Sequence, residues 1–144
     1  MATELLLNLS RYGKELLPLR RHDGCSCLHI SVYMGHEKVF KLVLHAGKEV
    51  GLEAEMLSMT TFDGSSCLFA SVQMGYPSIA KKLIDVGGRE LVDMTRKNGM
   101  SCIVVVRHKI ARLGPYCTQK IEHQHREVLA MIENAYLRFG LEPQ

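Results

Sequence analysis

One short phrase occurs three times in this chain, and no other feature restricts its fold as strongly. It reads Asp23-Gly24-Cys25-Ser26-Cys27-Leu28-His29 first and Asp63-Gly64-Ser65-Ser66-Cys67-Leu68-Phe69 second, then Asn98-Gly99-Met100-Ser101-Cys102-Ile103. The spacing is 40 residues from Gly24 to Gly64 and 35 from Gly64 to Gly99. Periods of this size belong to arrays of stacked supersecondary units, because one such unit cannot bury its apolar face alone.

The same order of signals follows each phrase. Asp-Gly or Asn-Gly supplies a tight turn, since both residue types accept a positive φ at low cost. Ser26, Ser66 and Ser101 then stand where an N-cap hydroxyl belongs, ahead of a short apolar helix. Gly35 and Gly75 fit the C′ position that ends it. A second helix follows, with Val39, Phe40, Leu42 and Val43 in one unit and Ile79, Leu83 and Ile84 in the next at helical spacing. Pro77 is tolerated at the start of that helix, where its missing N–H has no intrahelical partner to lose.

A third phrase recurs ahead of each turn: Gly13-Lys14-Glu15-Leu16-Leu17, Glu55-Met56-Leu57 and Gly88-Arg89-Glu90-Leu91-Val92. An insertion around Gly51–Ala54 accounts for the longer first spacing and is expected to loop out of the stack. The ends differ from the middle. Met1 to Leu9 reads as part of an outer helix without its inner partner. The third inner helix is expected to run to about Arg112 and break at Gly114-Pro115. A long last helix then carries Ile121, His125, Val128, Leu129, Ile132, Tyr136 and Phe139 on one stripe, with a polar outer face. The expected organisation is one domain over residues 1–144: a half-repeat at 1–22, repeats at 23–62 and 63–97, and a degenerate capping repeat at 98–140.

Composition narrows the function classes. The net charge of +3 comes from 18 basic and 15 acidic residues spread along the chain, too mixed for a nucleic-acid or membrane-surface partner. No apolar run approaches the ~18 residues that span a bilayer, and the start lacks the pattern of a secretory signal. The expectation is an intracellular protein, cytoplasmic or nuclear. Cys27, Cys67 and Cys102 occupy one equivalent position per unit, about one helix-packing distance of ~8–10 Å apart, which suits packing rather than disulfide pairing. Cys25 and Cys117 are expected to be the more exposed thiols, and the odd total of five cysteines fits a reducing compartment.

The stretch from Asp23 through Gly35-His36 to Gly47 closely resembles an ankyrin repeat. Ser26 and Cys27 stand where that family has Thr-Pro, and Leu28, His29, Gly35 and His36 match its pattern. The resemblance covers roughly residues 13–112 and fades along the chain. It implies an all-α solenoid of helix-turn-helix units with hairpin-like tips, and a concave face that binds a partner protein. Residues corresponding to the family's contact surface are His22, Cys25, Tyr33 and Met34, then Phe62, Ser65, Gln73 and Met74, then Lys97, Met100, His108 and Lys109. The structural motif maps onto Asp23, Gly24, Ser26, Leu28, His29 and Gly35, onto Asp63, Gly64, Ser66, Leu68 and Gly75, and onto Asn98, Gly99 and Ser101. The family's motif histidine ties neighbouring units through the turn. Only His29 is in place to do so, because Phe69 and Val104 hold the equivalent positions, so the later junctions are expected to rest on apolar packing.

Other chemistries find little support. His123 and His125 are two apart on a helix and point to different sides, so with Cys117 they make no zinc site. Cys25 and Ser65 sit at turn tips with no base or orienting acid at a readable spacing, which argues against a nucleophile. No cofactor and no small-molecule substrate is expected. The reading is a non-catalytic, monomeric protein-interaction module. Two alternatives differ in class: a structural or regulatory segment packing against a neighbouring domain of a longer protein, and a thiol or metal sensor using Cys25 or Cys117.

Overall fold

Why the repeated phrase produces stacked helices is visible at each turn. The computed structural model describes residues 12–115 and 117–142. The half-unit expected over Met1–Leu9 lies outside them. A helical stretch at residues 12–16 (α1) is followed by α2 (Cys27–Tyr33), α3 (Glu37–Glu49), α4 (Glu53–Ser58), α5 (Cys67–Met74), α6 (Pro77–Asp93), α7 (Cys102–Ala111) and α8 (Gln119–Phe139). Among the described residues the β component is limited to isolated bridges, Arg20 to Ser26 and Thr95 to Ser101.

The helices form two rows. α2, α5 and α7 pack side by side as the inner row; α3, α6 and α8 succeed one another as the outer row, each against its own inner helix. This is a translational succession, so a residue type at one register position recurs one unit further on. The all-α solenoid expected from the repeat is the fold observed.

Local sequence explains the helix limits. Ser26 Oγ accepts from the His29 N–H and Ser101 Oγ from the Val104 N–H, each satisfying a donor that a first turn leaves unpaired. α5 ends at Gly75, which is left-handed at φ 69°, and α7 stops at Ala111 just ahead of Gly114-Pro115. α8 begins behind Thr118, whose hydroxyl accepts from the Ile121 N–H, and ends at left-handed Gly140.

The third recurring phrase is a short third helix. α6 is broken at Gly88 (φ 61°, ψ −153°), a conformation open in practice only to glycine, into an outer helix at 77–87 and a short one at 89–93. The latter corresponds to α4 and α1. Leu17, Met56 with Leu57, and Leu91 with Val92 are the buried residues of these segments. Glu15, Glu55 and Glu90 are exposed and, among the described residues, enter no ion pair. Apolar burial therefore accounts for the recurrence. The insertion in the first unit does not loop out as expected. It lengthens α3 to 13 residues and widens the turn before α4, keeping Met56 packed on Gly47, where a β-carbon would lie 2.5 Å from the Met56 sulfur.

The core is continuous along the stack, from Leu17 and Phe40 through Phe69 and Leu83 to Val128 and Ile132. Cys67 and Cys102 are fully buried and Cys27 half-buried, as packing residues should be. On the last helix His125, Val128, Ile132 and Tyr136 turn inward, while Ile121 stays 42% exposed.

Candidate functional site: the face of tips and inner helices

Each turn is built by its first residue. Asp23 Oδ1 accepts from the Cys25 N–H at 3.0 Å, Asp63 Oδ1 from the Ser65 N–H at 3.1 Å and Asn98 Oδ1 from the Met100 N–H at 3.0 Å. Asn and Asp are the residue types whose side chains reach the backbone two residues on. The Arg21 guanidinium bonds the Asp23 carboxylate and holds its pKa far below the ordinary range; the Thr61 hydroxyl bonds Asp63 and lowers its pKa as well.

Successive tips are joined by backbone. The Phe62 N–H donates to the Asp23 carbonyl at 3.2 Å, and the Lys97 N–H to the Asp63 carbonyl at 2.9 Å. Glycine is required at the contact because a β-carbon on Gly24 would lie 3.0 Å from Phe62 N, and one on Gly64 would lie 2.8 Å from Lys97 N. Gly99 has the same turn conformation but nothing within 4 Å of its β-carbon position, since among the described residues no further tip packs on it.

Side chains supply a second link, different at each junction. His29 is fully buried, with Nδ1 2.9 Å from Ser26 Oγ and Nε2 3.1 Å from the Ser65 carbonyl. A carbonyl only accepts, so Nε2 carries the proton and the Ser26 hydroxyl donates to Nδ1. Burial lowers the pKa of this imidazole and keeps it neutral. At the next junction Phe69 replaces the histidine, and Ser66 Oγ is left buried without a partner. The link is made instead by Arg96, whose guanidinium stacks 5.0 Å from the Phe69 ring centroid while Nε donates to Ser65 Oγ at 2.9 Å. The junction expected to rest on apolar packing therefore contains a cation. Arg96 is free for this because it stands opposite neutral Asn98, whereas its counterparts Arg21 and Thr61 are held by Asp23 and Asp63.

On this frame two recesses open. The first is lined by Arg21, Asp23, Cys25, Ile30, Tyr33 and Met34. The second, about 680 Å³, is lined by Gln73, Met74, Arg96, Met100, Val105, His108, Lys109, Arg112 and Leu113. The structure thus gathers Cys25, Tyr33 and Met34 in one place, and Gln73, Met74, Met100, His108 and Lys109 in the other. His22, Phe62 and Lys97 project from the tips outside both recesses, Phe62 at 64% exposure.

Cys25 and Ser65 have another place. Cys25 is only 6% exposed, contrary to the expectation of an open thiol, and burial raises its pKa. Ser65 is 3% exposed, with its amide, hydroxyl and carbonyl engaged by Asp63, Arg96 and His29. Cys25 closes its own tip through its backbone, and Ser65 joins neighbouring units. Arg96, Val105 and Arg112 also line the recess, and their only signal in the sequence is register, two residues before the turn-forming Asn98 for Arg96 and one helical stripe with Lys109 for the others.

The residues weighed for metal or covalent chemistry are also separated. His123 Nε2 lies 2.7 Å from Glu127 Oε1, and His125 Nδ1 bonds the Ile121 carbonyl at 2.9 Å. Among the described residues no group of three His, Cys, Asp or Glu side chains comes together as a metal site would require. Burial raises Cys67 to about 12 and pushes Cys102 up as well, so neither supplies a thiolate at neutral pH.

Hairpin-like tips, paired helices in two rows and tip-to-tip bonding define a tip-and-helix-pair solenoid. Residues 23–53 match the family model of the ankyrin repeat, so that stretch of the chain is an ankyrin repeat. Repeats of this family are typically non-catalytic protein-interaction modules. No curated protein matches the chain. Among the described residues no helix is long and apolar enough to cross a membrane.

Proposed function

We propose that this chain is a non-catalytic binding module that grips a partner protein on the face made by its tips and inner helices, the concave face of a stack of this type. The observation that carries the reading is the exposure of large side chains there: Met34 at 60%, Phe62 at 64% and Met74 at 42%, beside half-buried Tyr33 and Met100. Exposed apolar side chains grouped on one face mark interaction surfaces, and Tyr, Phe and Met supply contact area with adaptable geometry. The frame beneath is held by tip-to-tip bonds and by the His29 and Arg96 links, so binding requires little reordering. The contact set is His22, Tyr33, Met34, Phe62, Gln73, Met74, Lys97, Met100, His108 and Lys109. The module acts as a monomer without cofactor.

The test is affinity purification with the wild type and a Tyr33→Ala/Phe62→Ala/Gln73→Ala variant, both checked for native helix content. Loss of about tenfold or more in recovery of the wild-type partners is expected, since aromatic anchors dominate such interfaces. Equal recovery refutes the placement of the face.

A further inference from the structure

The second recess has a chemistry that the first lacks. Arg96, Lys109 and Arg112 line it together with His108, and none of its lining residues is acidic. In the first recess Arg21 is neutralised by Asp23 at its side. A chain whose charges otherwise nearly balance thus gathers in one hollow cations that enter no ion pair among the described residues. Val105, His108, Lys109 and Arg112 fall on one stripe of α7, so the helix presents its basic residues and its apolar ones to the same opening. Arg96 is held in place by Ser65 and Phe69 with only Nε engaged by the hydroxyl. Between the cations lie Met74, Met100, Val105 and Leu113.

Resting on the binding-module reading above, we propose that this recess receives an acidic segment of the partner protein, with carboxylates on Arg96, Lys109 and Arg112 and an apolar side chain on the Met74–Met100 floor. Charge complementarity and the apolar floor together select the occupant. Nucleic acid fits less well, because no Phe, Tyr or Trp ring lines the recess for base stacking and the cations are too few to track a phosphate backbone. A bilayer surface does not enter a hollow of this shape. Fixed guanidinium groups favour carboxylates through paired, directional hydrogen bonds, and Gln73 at the edge offers an amide to the backbone of an extended segment.

The experiment is selection of random peptides displayed on phage against the immobilised chain, followed by fluorescence anisotropy of the selected sequences as labelled synthetic peptides. The expected result is enrichment of Asp and Glu around a large apolar residue. Binding should weaken about tenfold or more in a Lys109→Glu/Arg112→Glu variant, and weaken between about 50 and about 300 mM salt. The same charge change on the outer face, Lys48→Glu/Lys82→Glu, should leave it unaltered and controls for net charge. Peptides without acidic enrichment that are lost with Tyr33→Ala/Phe62→Ala/Gln73→Ala would overturn the acidic assignment while upholding the binding face. Tighter binding of a labelled oligothymidylate, or of phosphatidylserine vesicles, that is lost with Lys109→Glu/Arg112→Glu would also overturn it. Selection of no peptide at all would count against both readings.

Discussion

Gly64 and Gly99 form a natural control pair for the tip-to-tip contact, because their backbones agree and their surroundings do not. Their φ values are 86° and 84°. Replacing either by alanine places a β-carbon in the left-handed region, at a cost of roughly 1–2 kcal/mol, offset by about 0.4–1 kcal/mol from the reduced freedom of the unfolded chain. The net for Gly99→Ala is therefore about 0–1.5 kcal/mol, since its β-carbon meets nothing within 4 Å. At Gly64 the new carbon would lie 2.8 Å from Lys97 N and 3.3 Å from the Arg96 backbone. These are main-chain atoms, so relief requires the third tip to move away. That displacement breaks the 2.9 Å bond from Lys97 to the Asp63 carbonyl, worth about 1 kcal/mol, and adds overpacking of about 1–3 kcal/mol.

Gly64→Ala should thus cost about 2–4 kcal/mol more than Gly99→Ala. Urea unfolding followed by circular dichroism gives both values, provided the m-values agree with wild type. Amide exchange at Lys97 supplies a local check and should accelerate in Gly64→Ala alone. Equal destabilisation of the two variants, within about 0.5 kcal/mol, would refute the argument that backbone proximity makes glycine necessary at the inner tips.

Two further outcomes follow from the junctions. His29 has a lowered pKa in the folded chain, so unfolding takes up a proton once pH falls below the ordinary histidine value of 6.5; stability is complete above that value and declines as pH drops toward the lowered one. Unfolding midpoints of wild type and His29→Phe at about pH 7.5 and about pH 5.5 should show a smaller acid loss in the variant; equal losses would mean that His29 is not held neutral. Ser66 and Ser26 should respond oppositely to alanine. Ser66 Oγ is buried without a partner, so Ser66→Ala should be neutral or stabilising, whereas Ser26→Ala removes the N-cap and the donor to His29 and should cost about 1–2 kcal/mol by urea unfolding.

The stack was legible in the sequence because its signals are local and repeated. Asp-Gly, the capping serine, the apolar segment and the closing glycine each act within a few residues, and the period alone orders the units. The limits of the third inner helix and the stripe on the last helix followed from the same local rules. What escaped was set by contacts across units. Phe69 leaves the Ser66 hydroxyl without the partner that His29 gives Ser26, but nothing near either residue says that Arg96 of the next tip takes over the link to Ser65. The insertion at 51–54 carries no local signal that α3 extends to absorb part of it.

Arg96 shows how one substitution changes the chemistry of a repeat while preserving its geometry. Asn98 retains the side-chain bond that makes the turn, accepting from Met100 as Asp63 accepts from Ser65. It does not retain the charge. The cation two residues earlier, paired with Asp23 in the first unit, is released in the third and settles on Phe69, the residue that has displaced the inter-unit histidine. Loss of the histidine and loss of the acid thus compensate each other at one junction. Because the amide conserves the turn, the backbone of the tip is unaffected and only the electrostatics of the face differ from unit to unit. A rigid frame with exchangeable charges is how a repeat array can vary its partner without altering its fold.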